Sequence, residues 1–174
     1  SFDIATNSKP LPEPLVSTLE AGSFGLDDAE GALLKSHRGY ARIEARSRSA
    51  ARSGLARRLA QLTLSLMEDP DAVGYMNIGA QSYRTRRMMA PFAERTSLTS
   101  EHLFLLLTTV HTVADGPEMW AHTHGMEQFG LPDIECTGPA TGTKSSPDEM
   151  VIAAAMYLIE RGNVMKVGET AELT

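Results

Sequence analysis

The stretch LFLLLTTVHTVADGPEMWAHTHGM, Leu103 to Met126, carries the reading on which the fold turns. Leu103 to Val113 is the most hydrophobic segment of the chain, apolar on both faces in its first half, as expected of a central strand. Ala114-Asp115-Gly116-Pro117 then reads as a turn, and Glu118 to Met126 as the returning strand of a hairpin. A strand alternates its faces, so His122 and His124 share one. If the turn leaves Ala114 opposite Met119, His111 lies directly across from His122, with Cβ atoms about 5 Å apart. A slip of one residue would separate them.

Around this hairpin the sequence alternates strands and helices. Phe2 to Thr6 reads as a short strand, followed by Pro10, Pro12 and Pro14, whose fixed φ and missing donor predict an extended connector through about residue 25. Gly22 to Gly25 reads as a loop, and Asp27 or Asp28 as the cap of a helix to about His37. In the strand Tyr40 to Arg46, Ala41, Ile43 and Ala45 oppose Arg42, Glu44 and Arg46. A helix from about Ser49 to Met67 follows, its stripe Leu55, Leu59, Leu62 and Leu66 predicted to face the core. Ala72 to Gly79 reads as a strand and Ser82 to Arg95 as a helix shortened by Pro91. Ile134 to Thr137 reads as a short strand and Gly138 to Ser145 as a small-residue loop. Ser146-Pro147-Asp148-Glu149 carries N-cap, N1 proline and capping-box glutamate for a last helix that Gly162 stops. Met150, Val151, Ala154, Tyr157 and Leu158 form its predicted inner face. The expectation is one α+β domain over residues 1–174: a mixed, mainly antiparallel sheet with three to four helices, in the order βαβαβα-hairpin-βα.

Composition fits a globular chain: 42% hydrophobic residues and a mean hydropathy of -0.18 over 174 residues. No apolar run approaches the roughly 18 residues a spanning helix needs, and no signal-peptide pattern opens the sequence, so a cytoplasmic location is expected. Cys136 is the only cysteine, which agrees with a reducing compartment and excludes a zinc site of several thiolates. The net charge of -6 is uneven. From Arg38 to Arg95 there are eleven arginines and five acids, a local balance of +6, against -12 elsewhere. Solvated helix faces are the plain explanation for those arginines.

Three constellations could carry chemistry. His111, His122 and His124, with Glu118 or Glu127 completing the set, have the donor types for zinc or another divalent metal. Trp120 and Met126 share their predicted face, so a packed layer describes it equally well. The His-Thr-His pair followed by Glu127 is similar to the cupin metal motif, but the glutamate comes one residue early and the helices contradict a jelly roll. Arg84, Arg86 and Arg87, beside Tyr83, could contact an anion. An acidic pI of about 5.3 and the absence of any nucleic-acid motif argue against DNA or RNA. Cys136 beside Glu135 is not placed for an activated thiolate. No nucleophile elbow, Walker loop or dinucleotide fingerprint is present.

Asp27-Asp28-Ala29-Glu30 running into Lys35-Ser36-His37, Gly125-Met126-Glu127-Gln128-Phe129-Gly130-Leu131-Pro132-Asp133-Ile134-Glu135, and Tyr157 to Thr170 together resemble the bacterial family known as domain of unknown function 4261. The resemblance runs from about residue 11 to 170. It departs before the first helix, where family members tend to carry tryptophans and here only Phe24 stands. It implies no reaction and no cofactor. Within the second segment Phe129 and Leu131 suit the core, Gly130 a bend and Pro132 its exit.

These features lead to a non-catalytic protein-interaction module, immunity- or antitoxin-like, whose partner is another protein and which could also form a homodimer. The competing reading is a metal-binding protein or metal-dependent hydrolase using the three histidines.

Overall fold

In the computed structural model, which describes residues 1–22, 25–46, 52–93, 95, 97–141, 145–166 and 168, the chain is α+β. The predicted loop positions 23 and 24, the start of the third helix at 49 to 51, and loop residues 142–144 lie outside the described residues.

The first strand, β1 (Phe2–Asn7), pairs antiparallel with β2 (Tyr40–Ala45), Ile4 facing Ile43. Between them lie helices α1 (Glu13–Gly22) and α2 (Asp28–Ser36). Helix α1 corrects the extended connector: Pro14 sits in its first turn, where the missing N–H has no helical partner to lose. Asp27 caps α2 as expected, its carboxylate accepting from the Glu30 amide at 2.8 Å while Glu30 accepts from the Asp27 amide.

Helix α3 (Ser53–Met67) is followed by β3 (Gly74–Asn77) and β4 (Ser82–Thr85), an antiparallel pair with Tyr75 opposite Arg84. The helix expected from Ser82 therefore begins later, as α4 (Arg86–Ala93), because Ser82, Tyr83 and Thr85 are buried in strand geometry. The apolar run from Leu103 is likewise not a strand at its start. It is a buried helix, α5 (Ser100–Leu107), opened by a capping box between Thr99 and His102. Only from Thr109 does it become strand β5 (Thr109–Asp115), hairpinned to β6 (Glu118–His124). After a 3₁₀ turn (Met126–Phe129), β7 (Glu135–Pro139) pairs with β6. Helix α6 (Pro147–Arg161) has its capping box, Ser146 to Glu149, and ends on Gly162 at φ 74°.

Among the described residues, six α-helices and three separate antiparallel sheets, β1-β2, β3-β4 and β5-β6-β7, replace the single mixed sheet with three to four helices. The main core joins α3, α4, α5, the 3₁₀ turn and α6. Leu103, Leu106 and Leu107 of α5 are its fully buried centre, where truncation of such a side chain to alanine costs about 2–5 kcal/mol. A second cluster gathers Val16, Leu19, Leu34 and Tyr83 under α1 and α2. On α6 the inner face is Val151, Ala155, Leu158 and Ile159, whereas Met150 is exposed.

The segment from Gly125 to Ile134 is a latch. Asp133 accepts from Thr123 Oγ1 and from the Met126 amide, both at 3.1 Å, and Thr123 Oγ1 accepts from the Ile134 amide at 2.9 Å. Gln128 Nε2 donates to the Leu107 carbonyl at 2.8 Å, as Asn77 Nδ2 does at 3.2 Å, satisfying the exposed carbonyl end of α5. Gly125 holds φ 106°, and a Cβ there would stand 2.5 Å from that carbonyl, so only glycine fits.

Candidate functional site

Two surfaces offer more than packing: the outward face of β5-β6-β7 and a trough shared by α2, β2, α3 and β3.

The hairpin adopts the register that unites the histidines. Ala114 faces Met119 and His111 faces His122. Gly116, at φ 61°, followed by Pro117 gives the sign pattern of a type II′ turn, which suits strand twist. Ala121 and Thr123 are buried on the face that α6 covers, leaving His111, His122, His124 and Trp120 on the opposite one. Ring centroids lie 5.6 Å apart for His111–His122, 4.8 Å for His111–His124 and 4.7 Å for His122–His124. Trp120 stacks on His122 at 4.2 Å and is 38% exposed; its cross-strand partner Val113 is 51% exposed. Neither proposed carboxylate joins them, since Glu118 sits at the turn and Glu127 in the 3₁₀ helix. Met126 is also away from this face, fully buried in the core. Glu135, which sequence reasoning missed, pairs with His122 from β7.

The polar atoms of this face are incompletely satisfied. His122 Nε2 and His124 Nε2 are 3.0 Å apart, so one proton lies between them. His111 Nε2, His122 Nδ1 and Thr109 Oγ1 are buried with no hydrogen-bond partner among the described residues. Thr109 pairs with His124, so all three orphaned atoms belong to one patch. Burial, then the neighbouring His124, holds the imidazole pKa of both His111 and His122 below the ordinary value. As the rings stand, no group of three or more His, Cys, Asp or Glu among the described residues is arranged to hold a metal ion.

The three arginines go to separate places. Arg84, on β4, donates to the Leu105 and Thr108 carbonyls at the end of α5. Arg86 donates to the Pro70 and Glu68 carbonyls beyond α3. Arg87 forks onto Glu30 at 3.0 and 2.9 Å and onto the Gly25 carbonyl. The Arg87 hydrogen bonds, with help from Thr85, hold the Glu30 carboxyl down at about 2. Arg57 likewise bonds the Leu98 carbonyl. These side chains therefore tie loops and helix ends to the core, Arg86 and Arg87 while remaining exposed to solvent.

The trough is the larger feature, with a volume of about 1440 Å³. Helix α3 explains it. Its core face is Ala56, Ala60, Leu64 and Met67, so of the stripe Leu55, Leu59, Leu62 and Leu66 that periodicity assigned to the core, Leu55, Leu59 and Leu66 line the trough instead and half-buried Leu62 belongs to neither. Leu66 is 41% exposed, and the trough is also lined by Leu33 of α2, 50% exposed, and Ile78 after β3, 71% exposed. Ile43, Tyr40 and Tyr75 add apolar surface. Arg38, Arg42, Arg46 and Arg52, all exposed, gather around β2 and the start of α3. Glu44 pairs with Arg42 and Arg46 at 3.3 and 2.7 Å, and Arg52 reaches the Glu127 carbonyl, so cations stay in surplus at this end while Asp69 and Asp71 mark the other.

Residues 122–174 match the family model described as Domain of unknown function (DUF4261). Over that part of the chain, the resemblance read from the sequence holds; the segments before His122 lie outside the match. Comparisons with the curated proteins and with the solved structures gave no match. Among the described residues no helix is long and apolar enough to cross a membrane.

Proposed function

We propose that this chain is a non-catalytic binding module that takes an amphipathic, acidic segment of a partner protein into the trough shared by β2 and α3. The observation that carries the reading is the second apolar stripe of α3. Leu55, Leu59 and Leu66 recur at helical spacing and line the trough outside the core cluster, Leu55 and Leu59 half-buried and Leu66 exposed. An apolar strip of this kind beside a cationic rim matches the mode in which a partner helix lays its apolar face into a groove. The arginines around β2 would meet the acidic side of such a segment and set its orientation. The volume exceeds the roughly 300–1,000 Å³ of an ordinary small-molecule pocket, which favours a peptide segment over a metabolite. An immunity- or antitoxin-like role in a bacterial cytoplasm is the setting we propose. The lone Cys136, without a disulfide, agrees with the reducing compartment of that setting.

The test uses fluorescence anisotropy with three labelled peptides: an acidic amphipathic helix, its scrambled sequence and a basic counterpart. The acidic peptide should bind at least tenfold tighter than the other two, weaken with added salt, and lose at least tenfold in affinity with Leu59→Asp. Equal binding of all three peptides, or wild-type affinity in a folded Leu59→Asp variant, would overturn the proposal.

A further inference from the structure

We propose that the outward face of the β5-β6 hairpin is a binding site for a borderline divalent transition metal, held by His111, His122 and His124. This stands apart from the trough and does not depend on it. The backbone supplies the convergence: the Gly116-Pro117 turn fixes a register in which two cross-strand histidines and a third two residues along one strand share a face. No pair of these rings is separated by more than 5.6 Å between centroids.

The second, independent observation is the pattern of missing partners. Buried polar atoms are nearly always hydrogen-bonded, yet His111 Nε2, His122 Nδ1 and Thr109 Oγ1 are all orphaned in this one patch. The His122–His124 contact, 3.0 Å between Nε2 atoms, is held by a single shared proton. Two imidazole nitrogens on one tetrahedral zinc, each about 2.0–2.1 Å from it, sit about 3.3 Å apart, so a metal can take that proton's place with little motion. His111 is stacked on His122, and its ring must turn about χ2, a broad torsion, to bring Nε2 into the same shell. Glu135, opposite His122 on β7, and Thr109, opposite His124 on β5, share the face by strand register and could supply an oxygen for the fourth position. An all-nitrogen donor set of neutral imidazoles suits Zn²⁺, Ni²⁺ or Cu²⁺ rather than Mg²⁺ or Ca²⁺.

Trp120, the chain's only tryptophan, is stacked on His122 and so reports on the site directly. Untagged protein titrated with Zn²⁺ at pH 7.5, followed by calorimetry, should take up one equivalent with micromolar or tighter affinity. Cu²⁺ or Ni²⁺ should quench the tryptophan emission saturably, while Mg²⁺ should not. His122→Gln and His124→Gln, each checked by its thermal midpoint, should each weaken Zn²⁺ at least tenfold. A wild-type protein that binds no stoichiometric Zn²⁺ and shows no saturable quenching overturns the proposal without recourse to any variant. Folded variants that keep wild-type affinity overturn it equally, by placing the ion elsewhere.

Discussion

At the scale of single residues, Asp133 shows how much of the chain's most distinctive segment is spent on folding. Its carboxylate joins the Thr123 hydroxyl of β6 to the Met126 amide of the 3₁₀ turn. Asp133 itself is exposed, but Thr123 and Met126 are buried, and leaving such a hydroxyl and amide unpaired costs about 1–3 kcal/mol. Asp133→Ala should therefore lower the urea midpoint by that equivalent with an unchanged slope, and Asp133→Asn should cost less. A neutral Asp133→Ala would deny the latch. The residues of this segment were legible as architecture because Gly, Pro and Asp have few uses at a sharp bend. That Asn77 and Gln128 converge on one carbonyl, Leu107, was not legible, since their spacing in sequence says nothing of their meeting in space.

At the scale of elements, the hairpin was readable because its turn chemistry and its alternation agree, and the predicted pairing of His111 with His122 is the one found. Helix α5 was misread because a short, uniformly apolar run fits a buried helix as well as a central strand. Thr99 and His102, which cap it, were the available signal. The same hairpin carries a pH prediction. His111 and His122 have folded pKa values below the unfolded value of 6.5, so the unfolded chain takes up protons first as pH falls. Stability should be level above about pH 7 and decline below 6.5. In the presence of a chelator, thermal midpoints from pH 7.5 to 5.5 should fall for the wild type and fall less for a His111→Gln, His122→Gln double variant. Parallel curves would contradict this. The Glu30–Arg87 pair acts in a separate window, losing its contribution as pH drops from 4.5 towards about 2.

At the scale of the whole molecule, local patterns gave the α+β class and the places of most elements but not how strands assort. Three small sheets instead of one follow from long-range pairings, such as β1 with β2 across two helices, that no local period encodes. The trough was hidden for a related reason. Helix α3 has two apolar stripes, and only the packed structure reveals that Ala56, Ala60, Leu64 and Met67 are buried while Leu55 and Leu59 are half-buried and Leu66 exposed along the trough. The arginine-rich middle third likewise divides into clamps, such as Arg84 and Arg86, and an exposed group around β2.

Everything in the functional reading rests on that trough-lining stripe receiving a partner. Methyl NMR on leucine-labelled protein reads it directly during titration with the acidic amphipathic peptide. The account predicts saturable shifts confined to Leu55, Leu59, Leu66 and Leu33, with Leu103, Leu106 and Leu107 unmoved. Shifts absent from those four methyl groups, or appearing instead across the core of α5, would contradict it.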